Sequence, residues 1–171
     1  MCQTPALLKY FMHISRNFIT MNRAIEIIKQ PRQKILDEIN HLSVEQLNKI
    51  PEGFNNNIIW NLGHMIASQQ GICYKRAGLD VRVDEAFFNA YKPETKPEGF
   101  VDGAGVEEIK KMLFTTLEQL EADYDNGAIS NYTSFVTRYN IPLSSIDEAI
   151  AFLPFHEGLH IGYIMSLRKL V

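Results

Sequence analysis

Cysteine is nearly absent: Cys2 and Cys73 are the only two in 171 residues, and they lie far apart. That excludes a disulfide framework and makes a reducing cytoplasm the expected setting. A basic surplus is missing too. With 17 Lys and Arg against 20 Asp and Glu the formal charge is −3, which argues against a nucleic-acid surface. No apolar run is long enough to span a bilayer, so no membrane role is expected. The first twenty residues, MCQTPALLKYFMHISRNFIT, contain no acid. They also lack the uninterrupted apolar stretch and small-residue cleavage site of a secretory signal. There is no internal repeat, low-complexity tract or Gly-rich phosphate loop.

What is present is enough chain for one domain, with 46% hydrophobic residues to fill a core. Met21 opens MNRAIEIIKQ, where helical periodicity begins. Residues 1–20 therefore read as an accessory extension and 21–171 as the domain. Four segments show the 3.6-residue pattern. The first covers residues 22–41, with Pro31 expected to kink it or to mark a late start. Ser43 and Gln46 then stand in capping-box spacing for a short turn before Pro51. The second covers 57–77, closed by Gly78. Its stripe of Ile58, Leu62, Met65 and Ile66 faces away from Trp60, His64, Ala67 and Gly71. Apolar or small nearly all round, this helix should be buried on more than one side. The third covers 106–124 and stops at Asn126-Gly127. The fourth starts at Ser145, in capping-box spacing with Glu148, and runs to about Arg168.

Strand signals are thin, and ISNYTSFVTRYNI reads as an extended connector. Residues 79–105, rich in Pro and Gly, read as a long connection able to span the length of a bundle. The expected fold class is all-α: a four-helix bundle with a long crossover between the second and third helices.

Chemistry concentrates in PFHEGLHIGY, whose HEGLH matches the H-E-x-x-H of zinc peptidases. His156 and His160 fall in what reads as a core stripe of Ile146, Ala149, Leu153, Tyr163, Ile164 and Leu167. Four apart on a helix, their rings can converge. Buried imidazoles must satisfy their nitrogens. The pair reads either as ligands of one cation or as two hydrogen-bonded core histidines. Catalytic zinc takes three protein ligands, and the common peptidases find the third downstream. Here IGYIMSLRKLV follows His160 and holds no His, Asp, Glu or Cys, so the peptidase reading fails. A third ligand must come from upstream. His64, mid-helix on the small-residue face, is the natural one; His13 lies in the extension and His41 at the end of the first helix. Glu157, about 100° round the helix from His156, reads as a structural carboxylate in preference to a general base. Cys73 reads as an inert buried thiol.

NNIIWNLGH in the second helix, a long crossover and FHEGLHIGYIMSLR near the C-terminus together resemble the DinB/YfiT superfamily over residues 21–171. The resemblance implies a four-helix bundle that binds a divalent metal, zinc or nickel foremost, through three histidines. Carried over position by position, these are His64, His156 and His160. It implies two chemistries: transfer of a low-molecular-weight thiol to an electrophile, or metal-dependent hydrolysis. The implied partners are a small thiol and an electrophilic substrate. The alternative is a non-catalytic metal-binding or stress-response module acting as a homodimer. Tyr163 stands where many members carry glutamine, and Pro154 is not a position the pattern contains; both bear on pocket shape.

Overall fold

The computed structural model describes residues 23–171. The accessory extension and the Met21 start lie outside the described residues. The described chain is mostly helical with almost no strand, as an all-α fold requires. Helix α1 covers residues 23–39 and runs through Pro31 without a break. Proline withholds the N–H that would meet the carbonyl of Ile27. Ile27 is 44% exposed, so water can serve that carbonyl and the helix need not end.

Capping sets the other boundaries. At α2 (Val44–Asn48) the Ser43 hydroxyl accepts from the Gln46 N–H at 3.2 Å, and Gln46 Oε1 accepts from the Ser43 N–H at 2.9 Å. This is the reciprocal box the sequence announces. Helix α3 (Ile58–Cys73) starts at Asn57, whose Oδ1 accepts from the Trp60 N–H at 2.8 Å. A 3-10 turn at Lys75–Ala77 follows, and Gly78 takes φ 74°. Only glycine enters that left-handed region without penalty. Helices α5 (Gly103–Asp125) and α6 (Ile146–Leu167) complete the long elements. At α6 the Ser145 hydroxyl accepts from the Glu148 N–H, while the Glu148 carboxylate turns to the Ser144 N–H. The reciprocal half of that box is thus shifted by one residue.

Two segments differ from the sequence reading. The connection 79–105 contains a seven-residue helix, α4 (Glu85–Tyr91), capped by Asp84 through the N–H groups of Ala86 and Phe87. The extended connector closes into a minimal hairpin, with β1 (Phe135–Val136) antiparallel to β2 (Pro142–Leu143). Tyr139, in its turn, meets Phe155 of α6 edge to face at 5.1 Å. No helix among the described residues is long and apolar enough to cross a membrane.

Helix α3 is the central element, buried on all sides and packed against α2, α4, α5 and α6. A buried polar cluster within this core is organised around Arg32, which is 0% exposed. From α1 its guanidinium donates to both carboxylate oxygens of Glu157 on α6, to the Leu113 carbonyl on α5, and to Gln69 Oε1 on α3 at 3.3 Å. Gln69 in turn donates to the Thr116 carbonyl at 2.8 Å.

Removing one partner of a buried pair strands the other charge, at a cost of roughly 3–5 kcal/mol. Arg32→Met and Glu157→Gln should each lower unfolding free energy by an amount of that order in denaturant titrations. An Arg32→Met/Glu157→Gln double variant should be less unstable than the sum of the single changes, because no isolated charge remains.

Candidate metal centre

Two helices deliver the histidines. His64 sits two turns into α3 and is 6% exposed; His156 and His160 lie one turn apart on α6 and are half-buried. The ring nitrogens these three offer all lie within 4.8 Å of one another. Ring centroids are 4.6 Å apart for His64–His160, 4.7 Å for His156–His160 and 5.5 Å for His64–His156. The two sequence-distant helices therefore bring together the residues that the resemblance names. His41 is exposed, and His13 lies outside the described residues.

Neighbouring groups fix the tautomers. The Tyr91 carbonyl can only accept, so His64 Nδ1 carries its proton and donates to it at 2.7 Å. His64 Nε2 is left as a lone pair, met by the Ser68 hydroxyl at 3.1 Å. Asn61 spends its amide hydrogens on the Asn57 carbonyl at 2.8 Å and on Asn56 Oδ1 at 3.1 Å. Its own Oδ1 accepts from His160 Nδ1–H at 2.9 Å, leaving His160 Nε2 unprotonated. His156 has no hydrogen-bond partner among the described residues. Such outer contacts orient metal-binding imidazoles and raise their basicity. Imidazoles held in this way fit a divalent cation.

Electrostatics keep the rings neutral. Burial lowers the His64 pKa, opposing the Tyr91 hydrogen bond, and Arg138 lowers it further. Burial, then His64 and Arg138, bring His156 down to about 4. Burial, then His156, His64 and Arg138, bring His160 to about 3. Metal ligation requires the neutral imidazole, so no proton need be displaced near neutral pH.

Glycine makes the upper hydrogen bond feasible. A Cβ on Gly63 would stand 2.6 Å from Tyr91 Cε1, so only glycine lets α4 close on α3 and place its last carbonyl against His64. Trp60 stacks on His64 at 4.7 Å, and its indole donates to the Thr95 hydroxyl at 3.2 Å, which ties down the loop after α4.

The histidines open on a cavity of about 470 Å³. The core stripe assigned to α6 needs correction here: Tyr163 is 49% exposed and lines this cavity together with the histidines. Glu157, in contrast, is 2% exposed and committed to Arg32, which matches a structural carboxylate. The carboxylate that does line the cavity is Glu94. It has φ 70° in the turn closed by Thr95 N–H to the Lys92 carbonyl. Turns of that shape favour Gly or Asn at the position. Cys73 is fully buried and its thiol pKa is pushed up by desolvation, as an inert thiol requires. The sequence does not mark Asn61, Ser68, Glu94 and Arg138 as site residues. Only Asn61, one turn before His64, carried a local signal.

Gly63→Ala should weaken divalent-ion affinity more than tenfold, read by competition with a chelating dye, because Tyr91 must move. A second expectation concerns pH in chelator-treated protein. The folded-state pKa values of His156 and His160 lie below the ordinary 6.5. The unfolded chain therefore binds more protons as pH falls through 6.5, and stability is lost progressively down to about pH 3. Thermal midpoints should fall over that window, and His156→Gln/His160→Gln should flatten the fall.

No curated protein gives a match to the chain. The family model described as the DinB superfamily matches residues 27–164, a span that contains all three histidines. Taken with the clustered imidazoles, that match identifies the chain as a member of the DinB superfamily.

Proposed function

We propose that this is a divalent-metal-dependent enzyme of the thiol-transfer or hydrolytic type, a four-helix bundle whose reaction centre is His64, His156 and His160. The observation that carries this reading is the convergence of three neutral imidazoles, two of them oriented by hydrogen bonds, at the wall of a cavity of about 470 Å³. A divalent ion held there supplies Lewis acidity and lowers the pKa of a coordinated thiol or water. Zinc and nickel both suit an all-imidazole donor set.

The remaining roles belong to the chain. Tyr91 and Asn61 hold the rings of His64 and His160 in the ligating tautomer. Glu157 cannot serve as general base, because both its oxygens are engaged by Arg32 inside the core. Glu94 is the one carboxylate among the described residues lining the cavity, and in this reading it takes the proton of an incoming nucleophile. In the thiol version the S–H proton passes to Glu94. The sulfur lone pair forms a bond to an electrophilic carbon, and the leaving group departs with its electron pair. The positive φ at Glu94 supports a functional role, since a non-glycine residue there costs on the order of 1 kcal/mol.

The test is turnover by zinc- or nickel-loaded protein with a panel of small thiols and an electrophilic acceptor, and with ester substrates in parallel. Turnover lost in chelator and in His160→Ala supports the reading. No turnover with any thiol or ester in protein that carries the ion contradicts it. Glu94→Gly separates structure from chemistry. It relieves the positive φ, so the thermal midpoint should hold or rise, while kcat should fall by roughly 10²-fold or more if Glu94 moves the proton.

A further inference from the structure

A second cavity, of about 460 Å³, adjoins the first, and the two share Pro93, Arg138, Tyr139 and His156. His156 thus borders both. Ile72, Phe135 and Phe152 give the second cavity an apolar lining. Its charged lining is one-sided: Lys75, Arg76 and Arg138 are present and no carboxylate is. In a chain of formal charge −3, three cations around one small cavity are opposite in sign to the surface as a whole. Low-dielectric walls focus such a field and concentrate anions within it.

The cations differ in availability. Lys75 stands 3.5 Å from Glu85 in an exposed pair. Neither Arg76 nor Arg138 has an acidic partner among the described residues. The Arg76 guanidinium lies over the Phe135 ring, 4.1 Å from its centroid. Stacking of that kind holds the planar group while leaving its N–H edge free for a carboxylate. Arg138 is carried on the turn of the hairpin, where the Thr137 N–H donates to the Ile141 carbonyl at 2.9 Å and Tyr139 packs on Phe155. Within the second cavity no carboxylate neutralises these arginines, and Glu94, across the adjoining histidine cavity, forms no ion pair with Arg138.

We propose that the second cavity is the specificity lobe of the site and takes a substrate bearing a carboxylate on an apolar body. The body lies against Phe135 and Phe152, the carboxylate is held by Arg76 and Arg138, and the reactive end points past His156 into the histidine cavity. This inference rests on the reading of the histidines as a reaction centre, and its test is arranged to fail separately.

Full-length protein loaded with zinc is titrated calorimetrically with naphthalene-2-carboxylate and with its neutral isostere naphthalene-2-carboxamide, and the zinc content of each sample is measured. The carboxylate should bind at least tenfold more tightly than the amide, since a charge-assisted hydrogen bond is worth roughly ten- to hundredfold in affinity. Arg76→Gln and Arg138→Gln should each remove most of that preference with zinc content unchanged. Both side chains are exposed, so the fold should tolerate the changes, and the comparison of the two probes needs no variant. Equal affinity for the two probes overturns the proposal. So does a carboxylate preference that ignores both arginines and vanishes on chelation, for the carboxylate then sits on the ion. A preference that survives without zinc supports the lobe even if the metal reading falls. Zinc bound without any preference leaves the metal reading standing and removes the lobe.

Discussion

Arg32 reaches from α1 into the core and meets a carboxylate of α6, a carbonyl of α5 and a side-chain amide of α3. Much of the molecule's geometry follows from that contact. Successive residues on a helix point about 100° apart. With Glu157 turned inward to the guanidinium, His156 and His160 are obliged to face the neighbouring sector, where the cavity lies. A rotation of α6 that released the histidines would have to strand a charge in the core. Burying the pair carries a desolvation cost that an apolar substitute would avoid. What the pair provides is a fixed rotational setting for the helix that carries two of the three imidazoles.

The same economy governs α3. His64 is presented by a helix buried on every side, and its ring is held by a backbone carbonyl from α4 and a hydroxyl from its own next turn. The carbonyl reaches it because Gly63 gives the Tyr91 ring room. Asn61, three residues before His64, does not serve that ring at all; it crosses to His160. The segment WNLGH thus contributes a stacking partner, an orienting amide, a close-approach glycine and one of the three clustered imidazoles. Four of its five residues act on one site, which explains why so short a stretch carries such a strong signal.

How much of this the sequence displays depends on the range of the interaction. Helix periodicity, the caps at Ser43, Asn57 and Ser145 and the stop at Gly78 are local, and they are legible. The histidine pair is legible because its spacing is a helical repeat, and His64 because no downstream residue can ligate. Helix α4 is not, since seven residues between proline- and glycine-rich flanks are too few to establish a period. Arg32 is not either: in PRQKILDEI it has the look of any solvated cation, and only the fold puts it opposite Glu157. The opposite error occurs at Tyr163, whose position in an apolar series suggests core although the residue lines an open cavity. Glu94 and Arg138 lie in turns, where sequence registers the bend but not the direction in which a side chain is offered.

The central claim is that three imidazoles from two distant helices share one ion. Elemental analysis of purified wild-type protein beside His64→Ala, with folding of both checked by circular dichroism, tests it most directly. The account expects about one divalent ion per folded chain in the wild type, as one three-histidine site allows, and little or none in the variant. Equal metal content in the two folded proteins, or none in the wild type after incubation with zinc and with nickel, would contradict it.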